Sequence, residues 1–332
     1  MKKFTLLLMI AVLTGLCQLL VAVDKEQTDM WLSILTDKEP QSRIQKLDAY
    51  QEKYGAKDDK ISPFMWMQLA YTAYMLQQFD KTINAAEKSL TYKEVETNDR
   101  MRLYLYLANA YYVTKKDLGK SYEYANLLID LARSLKGGQE KAQGLDNQYI
   151  APALRIQIKI LEERTKDLKN TQEALAKAIE AYKMDRSTRS GEYVIILGNR
   201  IYKLGQLDAA IMALETVMSI RPTSDTARVL AYWLDQKGNK EKALEYLKTS
   251  YKMKKSAKVA FDIGALLQKN DLDSSINYLA ESVVLNDRKY SPKAQELLEH
   301  LFFNVKAKGM LSAEQEKAYQ EILAAAKSRL GL

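Results

Sequence analysis

Apolar and small residues recur at intervals of three and four along most of the chain, the spacing that places them on one face of an α-helix. The clearest stretch runs from Glu192 to Pro222 and predicts two helices joined by a turn at Gly205. Its packing positions are Val194, Leu197, Gly198, Ile201, Ala210, Leu214 and Val217. The first of these positions recurs at Ala227 and Ala260, two steps of 33 residues. A fixed period of this length is typical of a solenoid of stacked helical hairpins.

Less regular copies of the same pattern precede this stretch. They place packing residues at Trp66, Leu69, Ala70, Thr82, Ala86 and Ser89, and then at Tyr104, Leu107, Ala108, Tyr111, Ser121, Ala125 and Leu128. The small residue that opens the second helix then moves from Ser121 to Ala174, a step of 53 residues. Residues 137–175 are therefore predicted to be irregular, with an extended turn and then one long helix from Pro152 to about Leu168. Such an insertion fits a functional loop or neutral variation.

The two ends of the pattern differ from its middle. Residues 24–60 predict a helical pair interrupted by Pro40, and residues 61–290 predict the repeat array itself. Residues 291–332 predict two capping helices. We expect the last helix to begin with a capping box, in which Ser312 and Gln315 satisfy each other's backbone N–H groups.

The copy from Glu192 to Pro222 resembles the tetratricopeptide repeat (TPR) family, which has a glycine in the turn, an alanine opening the second helix and a closing proline. In the earlier copy, Gln77 stands in place of the turn glycine and Thr82 in place of the alanine. The resemblance covers residues 60–330 and is weakest between 137 and 175. It implies an all-α fold, a right-handed α-α superhelix, and a role in binding and not in catalysis.

In that family, the first helix of each repeat lines a concave groove that holds protein or peptide ligands. By this resemblance, the groove residues are Met67, Tyr71, Tyr74, Leu105, Asn109, Tyr112, Ile195, Asn199, Tyr202, Arg228, Tyr232 and Asp235. Tyrosine rings and amide groups suit an extended peptide. The chain has 21 tyrosines, however, so helix packing is the alternative explanation for each one. Leu105 and Ile195 stand where some members have carboxylate-binding lysines, so recognition of a partner's C-terminal carboxylate is not expected.

An apolar run from Phe4 to Val23, preceded by Lys2 and Lys3, predicts export through a membrane. Residues 1–23 are therefore interpreted as a signal peptide, cleaved near Ala22, or as an uncleaved anchor. We expect the protein in the periplasm or elsewhere in the bacterial cell envelope. Cys17 is the only cysteine. Its lipidation is an alternative that the bulky residue before it disfavours, and the exported part would lack disulfides.

Composition excludes several kinds of chemistry. His300 is the only histidine, which excludes histidine-cluster metal sites and Ser–His or Cys–His nucleophile systems. No phosphate-binding glycine motif occurs, so no cofactor is expected. The formal net charge is +8, but basic and acidic residues are interleaved, and a nucleic-acid partner is not expected.

One motif keeps an enzymatic reading open. Glu281 and Ser282 form the glutamate–serine pair used by peptidoglycan-cleaving envelope enzymes that carry helical solenoids. The repeat register predicts that Ser282 is a packing residue and Glu281 its exposed neighbour, so catalysis is not expected. The sequence therefore favours a protein- or peptide-binding scaffold of the cell envelope. The alternative is a membrane-anchored or self-associating structural component that uses its convex surface and end helices.

Overall fold

The computed structural model describes residues 25–56, 59–135, 142–164 and 167–332, and its regular structure in these ranges is helical. The helices are α1 Lys25–Thr36, α2 Pro40–Tyr54, α3 Ser62–Met75, α4 Phe79–Leu90, α5 Thr97–Thr114, α6 Leu118–Ser134, α7 Ala142–Leu145, α8 Ala151–Arg164, α9 Leu168–Asp185, α10 Thr188–Lys203, α11 Leu207–Ile220, α12 Ser224–Gln236, α13 Lys240–Met253, α14 Ala257–Leu267, α15 Leu272–Val284, α16 Ser291–Leu301 and α17 Ser312–Leu330. Two π-helical turns, Asp146–Ile150 and Phe302–Lys306, precede α8 and follow α16.

The predicted export segment, residues 1–23 with Cys17, lies outside the described ranges, as do residues 137–141 of the predicted irregular region. In the part of the chain that the structure covers, no helix combines the length and the apolar character that a membrane crossing requires. The assignment of 24–60, 61–290 and 291–332 as separate segments stays a prediction.

The chain divides into two compact units, which meet in sequence between residues 166 and 167. In the first unit, α3 packs against α4 and α5 packs against α6 as hairpins, with α4 against α5 joining the two pairs. The core of this unit is aromatic at its N-terminal end, where Trp31 and Tyr50 are buried with their ring centroids 5.6 Å apart. The unit is therefore a stack of helical pairs, as the repeat pattern predicts.

In the second unit, the hairpins α10/α11, α12/α13 and α14/α15 follow one another, and α16 and α17 pack on α15. Val194, Ala227 and Ala260, the equivalent positions of the 33-residue period, are all completely buried. The predicted repeat register is confirmed in this unit. Each unit is a stack of helical hairpins, so the all-α solenoid predicted from the sequence is confirmed.

The turns of three hairpins, α3/α4, α10/α11 and α12/α13, have a left-handed residue two positions before the second helix begins. Gly205 has φ +81°, its N–H donates to the Tyr202 carbonyl at 2.9 Å, and the next N–H reaches the Ile201 carbonyl at 3.0 Å. Gln77 makes the same turn in α3/α4 with φ +57°, where the two donor distances are 3.0 and 2.8 Å. A residue with a Cβ pays about 1–2 kcal/mol for this conformation. The hairpin therefore forms without the turn glycine, at a conformational cost.

Replacing Gln77 by glycine is expected to stabilise the first unit by about 0.5–1 kcal/mol, because relief of left-handed strain exceeds the added entropy of the unfolded chain. The Gln77 side chain is exposed, so little packing is lost. The measurement is the midpoint of urea-induced unfolding. Gly205→Ala is the matched reverse change and should destabilise the second unit. A lower midpoint for Gln77→Gly would contradict the left-handed assignment.

The predicted long helix from Pro152 to Leu168 is wrong. Helix α8 ends at Arg164 and α9 begins at Leu168. The Asp167 carboxylate accepts a hydrogen bond from the backbone N–H of Asn170 at 2.8 Å, which caps the start of α9. An aspartate in this position stabilises a new helix start more than continuation of the old helix.

The predicted capping box of α17 is also wrong. The residue that caps α17 is Leu311, which offers no side-chain acceptor. The side-chain amide of Gln315 instead donates to the backbone carbonyl of Ala307 at 2.9 Å. Gln315 therefore ties α17 to the end of the preceding helical turn instead of closing its own helix terminus.

Candidate functional site

The first unit brings Tyr71 and Tyr74 of α3 next to Tyr106 of α5, and we call these three residues the tyrosine cluster. The Tyr74 and Tyr106 rings are stacked, with centroids 4.2 Å apart and planes inclined by 18°. The side-chain amide of Asn109 donates to the Tyr74 hydroxyl at 3.0 Å. Burial raises the pKa of Tyr106 to about 12, so its hydroxyl remains protonated at neutral pH. Tyr71 remains 37% exposed.

Tyr112 of the predicted groove contacts a residue of α8. Its hydroxyl donates to Glu163 on α8 at 2.6 Å, and the Lys115 ammonium lies 3.8 Å from its ring centroid. Lys115 also pairs with Glu163 at 2.5 Å. Tyr112 is thus part of an ion-pair network that joins α5 to α8. Sequence analysis missed Tyr106. Its ring contacts those of Tyr71 and Tyr74, but the residue predicted for the groove at this point of α5 was its neighbour Leu105.

In the second unit, two predicted groove residues are engaged within the protein. The Asn199 side chain donates to the carbonyl of Ile195 on its own helix at 2.9 Å. The Tyr202 ring stacks on the buried Trp233, with centroids 5.0 Å apart and planes inclined by 18°. The neighbouring Tyr232 hydroxyl, followed by burial, raises the pKa of Tyr202. Tyr202 therefore contributes to packing between α10 and α12.

Three more predicted residues of the second unit, Arg228, Tyr232 and Asp235, lie together at a cleft of about 420 Å³ between α12 and α14. We call it the second-unit cleft, and its lining is Arg228, Ala231, Tyr232, Asp235, Leu247, Lys258, Asp262, Ala265, Leu266 and Tyr290. Sequence analysis missed Lys258, Asp262 and Tyr290. The sequence does contain a signal for Lys258 and Asp262. On α14, positions 258, 262 and 265 have the same four- and three-residue steps as positions 228, 232 and 235 on α12, so each set lies on one face of its helix.

The charged side chains of the cleft differ in their contacts. Arg228 lies 3.7 Å from the exposed Asp225, and the Lys258 ammonium lies 5.4 Å from the centroid of the Tyr290 ring. No described residue donates a side-chain or backbone hydrogen bond to the carboxylates of Asp235 and Asp262, or pairs with them within 4.0 Å. Burial raises the pKa of Asp262, Lys258 and Arg228 oppose that shift, and Asp235 adds to it.

Glu281 is buried, not exposed as predicted, with only 7% of its surface accessible. The Tyr251 hydroxyl donates to one carboxylate oxygen at 2.6 Å and the Arg329 guanidinium to the other at 2.7 Å. The Ser282 hydroxyl donates to the carbonyl of Ala257 at 2.8 Å. These contacts link α13, α14, α15 and α17, so both residues have structural roles. Among the residues with assigned positions, no group of three or more potential metal ligands occurs.

No protein-family model matches this sequence, and no curated protein matches it. Among solved structures, the chain is similar to MamA, with 16% identity, coverage of 64% of this chain and 96% of MamA, and a TM-score of 0.37. It is similar to the apo form of RapI, with 15% identity, coverage of 82% and 99%, and a TM-score of 0.42. It is also similar to YrrB, described as a TPR protein with an unusual peptide-binding site, with 18% identity, coverage of 63% and 92%, and a TM-score of 0.35. The fold class rests on the 33-residue period and the helical pairs of this chain.

Proposed function

We propose that this chain is a non-catalytic scaffold that binds a peptide segment of another protein in the second-unit cleft. The observation that carries the proposal is an open cleft of about 420 Å³ beside Tyr232, whose side chain is 55% exposed. An aromatic residue in this position can bury a large area on a ligand with little loss of conformational entropy.

The composition of the cleft supports the same proposal. Ala231, Leu247 and Leu266 give it an apolar floor, while Arg228 and Asp262 supply polar groups at its sides. Sites that bind organic ligands combine an apolar surface with a few polar groups that fix orientation. The exposed ring of Tyr71 in the tyrosine cluster is a second candidate contact surface, on the first unit.

We place this scaffold in the bacterial cell envelope because of the apolar run from Phe4 to Val23. Cell fractionation, with the mass of the N-terminal peptide, tests this location. A mature N-terminus near residue 23 in a periplasmic fraction supports it. Retention of the whole run in a membrane fraction favours the anchored structural alternative, and recovery in the cytoplasm contradicts export.

Tyr232→Ala is expected to weaken capture of the partner about thirtyfold, since truncation of a central interface tyrosine costs about 2 kcal/mol. The melting temperature should stay unchanged, because the Tyr232 side chain is 55% exposed, whereas the Tyr202 ring stacks on Trp233. Capture from crosslinked cells, with mass spectrometry, identifies the partner, and titration with its purified form gives the dissociation constant.

Tyr202→Ala is the matched control for stability and not for binding, because the Tyr202 side chain contacts Tyr232. It removes the same side chain from the neighbouring helix, but it should lower the melting temperature because Tyr202 stacks on buried Trp233. A Tyr232→Ala protein that binds the partner as tightly as the unaltered chain would move the binding site away from the second-unit cleft. Recovery of the chain alone would favour self-association.

A further inference from the structure

Positive charge is concentrated on one side of α13 in the second unit. Lys248, Lys252 and Lys255 follow one another at steps of four and three residues, so they lie on one face of the helix and just beyond its end. All three residues are exposed, and no described carboxylate pairs with their ammonium groups within 4.0 Å. We call these three lysines, together with Arg329 of α17, the basic face. Acidic and basic residues are interleaved along the sequence, but helical spacing separates them here.

A pocket of about 260 Å³ connects the basic face to α15 and α17. Its lining is Tyr251, Lys255, Ser274, Asn277, Tyr278, Glu281 and Arg329. The Lys255 ammonium lies 4.1 Å from the centroid of the Tyr251 ring. The Arg329 guanidinium donates to Glu281 at 2.7 Å and to the Asn277 carbonyl at 3.4 Å. Two cations of the basic face therefore line one pocket.

The carboxylates near the basic face differ from its lysines in having donors within the protein. The two oxygens of Glu281 accept from the Tyr251 hydroxyl and from Arg329. The Ser274 hydroxyl and backbone N–H, followed by Lys248, lower the pKa of Asp271.

The remaining carboxylate, Glu245, lies one turn before Lys248, towards the start of α13. Near the pocket, positive charge is therefore in excess, and the lysines are the groups without a charged partner among the described residues. Such a face is complementary to an anionic ligand.

We propose that the basic face binds an acidic segment of a protein partner, whose aspartate or glutamate side chains pair with Lys252, Lys255 and Arg329. None of these residues lines the second-unit cleft, so the inference goes beyond the proposed function and adds a second contact surface. A guanidinium held in place matches the geometry of a carboxylate. The Asn277 amide and the Tyr278 hydroxyl are further donors in the same lining.

The dimensions of the face suit an extended peptide. Lys248 and Lys255 are seven residues apart, which is about 10 Å along a helix axis. Two acidic residues three positions apart in an extended peptide are separated by about the same distance. A single acidic segment can therefore pair with both ends of the lysine row.

The pocket favours a peptide side chain over a flat anionic surface. Arg329 lies in the pocket lining with 40% of its side chain exposed, so a ligand group must project inwards to reach it. Aspartate and glutamate carry their carboxylates on short stems, whereas a lipid bilayer presents its phosphates in a plane. Nucleic-acid binding through charge commonly uses about six to ten phosphate contacts, more than this face provides.

The test measures binding of a fluorescein-labelled octapeptide of alternating glutamate and serine to the full chain, by fluorescence anisotropy at low salt. Lys252→Gln combined with Lys255→Gln should weaken binding about tenfold, since each lost charge contact weakens it about threefold. Lys237→Gln combined with Lys306→Gln is the matched control. It removes the same charge from two lysines that each have an aspartate partner at 2.5 Å, and it should change binding less than twofold.

Further measurements separate charge from shape and from folding. Lys252→Arg combined with Lys255→Arg keeps the charge and should retain binding. An octapeptide of alternating glutamine and serine should not bind, and added salt should weaken binding of the glutamate peptide. Because both lysines are exposed, the variants should keep the melting temperature of the unaltered chain, which circular dichroism checks.

Four results would overturn the inference. They are no binding of the glutamate peptide, equal losses in the lysine variant and its control, full binding by the lysine variant, and lysine-dependent binding to phosphatidylglycerol vesicles without binding of the peptide.

The same assay separates this face from the second-unit cleft. Tyr232→Ala should leave binding of the glutamate peptide unchanged. If Tyr232→Ala weakens it and the lysine variant does not, the acidic peptide enters the cleft, which overturns the inference and leaves the proposed function standing. If partner capture does not depend on Tyr232 but the glutamate peptide depends on the lysines, the proposed site fails and the basic face stands.

Discussion

Replacing Gly264 by alanine is expected to lower the free energy of unfolding of the second unit by about 2–3 kcal/mol, through overpacking of a closed helix contact. A Cβ at this position would lie 2.7 Å from Cγ and 2.9 Å from Cδ2 of Leu279, and 3.2 Å from the Ser275 carbonyl oxygen. Leu279 is completely buried, so it has no free space to move into. The Ser275 hydroxyl also donates to the Gly264 carbonyl at 2.7 Å, which holds α14 and α15 at this distance.

Gly198→Ala is the matched control, since Gly198 occupies the equivalent position two repeats earlier. Its Cβ would meet only Ala213 Cβ at 3.4 Å, an ordinary contact. Alanine is also a better helix former than glycine by about 1 kcal/mol, so this variant should be neutral or slightly more stable. Urea-induced unfolding followed by hydrogen exchange of α14 and α15 reports on the second unit. Equal midpoints for the two variants would mean that α14 and α15 are farther apart than described.

This pair of glycines shows how far the sequence predicts the fold. The 33-residue period places both in the same role, a close approach of two helices, and the helical pairs are confirmed. The period does not reveal which approach is tighter, because that depends on the residue opposite. Ala213 stands opposite Gly198, and Leu279, at the equivalent position, stands opposite Gly264. Packing between helices is a tertiary property that local spacing does not encode.

The candidate site was predicted in part for the same reason. Helical spacing identifies the faces on which Arg228, Tyr232 and Tyr202 lie, but not the neighbour that each face meets. Tyr202 meets Trp233, whereas Arg228 and Tyr232 meet an open cleft. Asp262 was missed because its importance arises from its place opposite α12. Whether these residues contact a ligand stays a prediction.

Replacing Glu281 by alanine is expected to destabilise the second unit by about 3 kcal/mol, mainly by leaving the buried Tyr251 hydroxyl without its acceptor and a cavity beside it. Tyr251 is 3% exposed, so its hydroxyl is largely shielded from water while Glu281 is in place. Burial, followed by the hydrogen bond to Glu281, raises the pKa of Tyr251, which keeps its hydroxyl protonated as the donor. Arg329 contributes less, because its side chain is 40% exposed and can regain solvation.

Glu281→Gln tests which part of this network matters. The amide oxygen can still accept from Tyr251, while the charge that attracts Arg329 is gone, so the loss should be about 1 kcal/mol. Asp273→Ala is the control, since it breaks the exposed Asp273–Lys306 pair, 2.5 Å apart, and should have an effect near zero. Because Arg329 lies in α17, hydrogen exchange of α17 should also accelerate in Glu281→Ala. If Glu281→Ala unfolds at the same midpoint as Asp273→Ala, the carboxylate is not held as described, and its free side chain would restore the enzymatic reading of the Glu281–Ser282 pair.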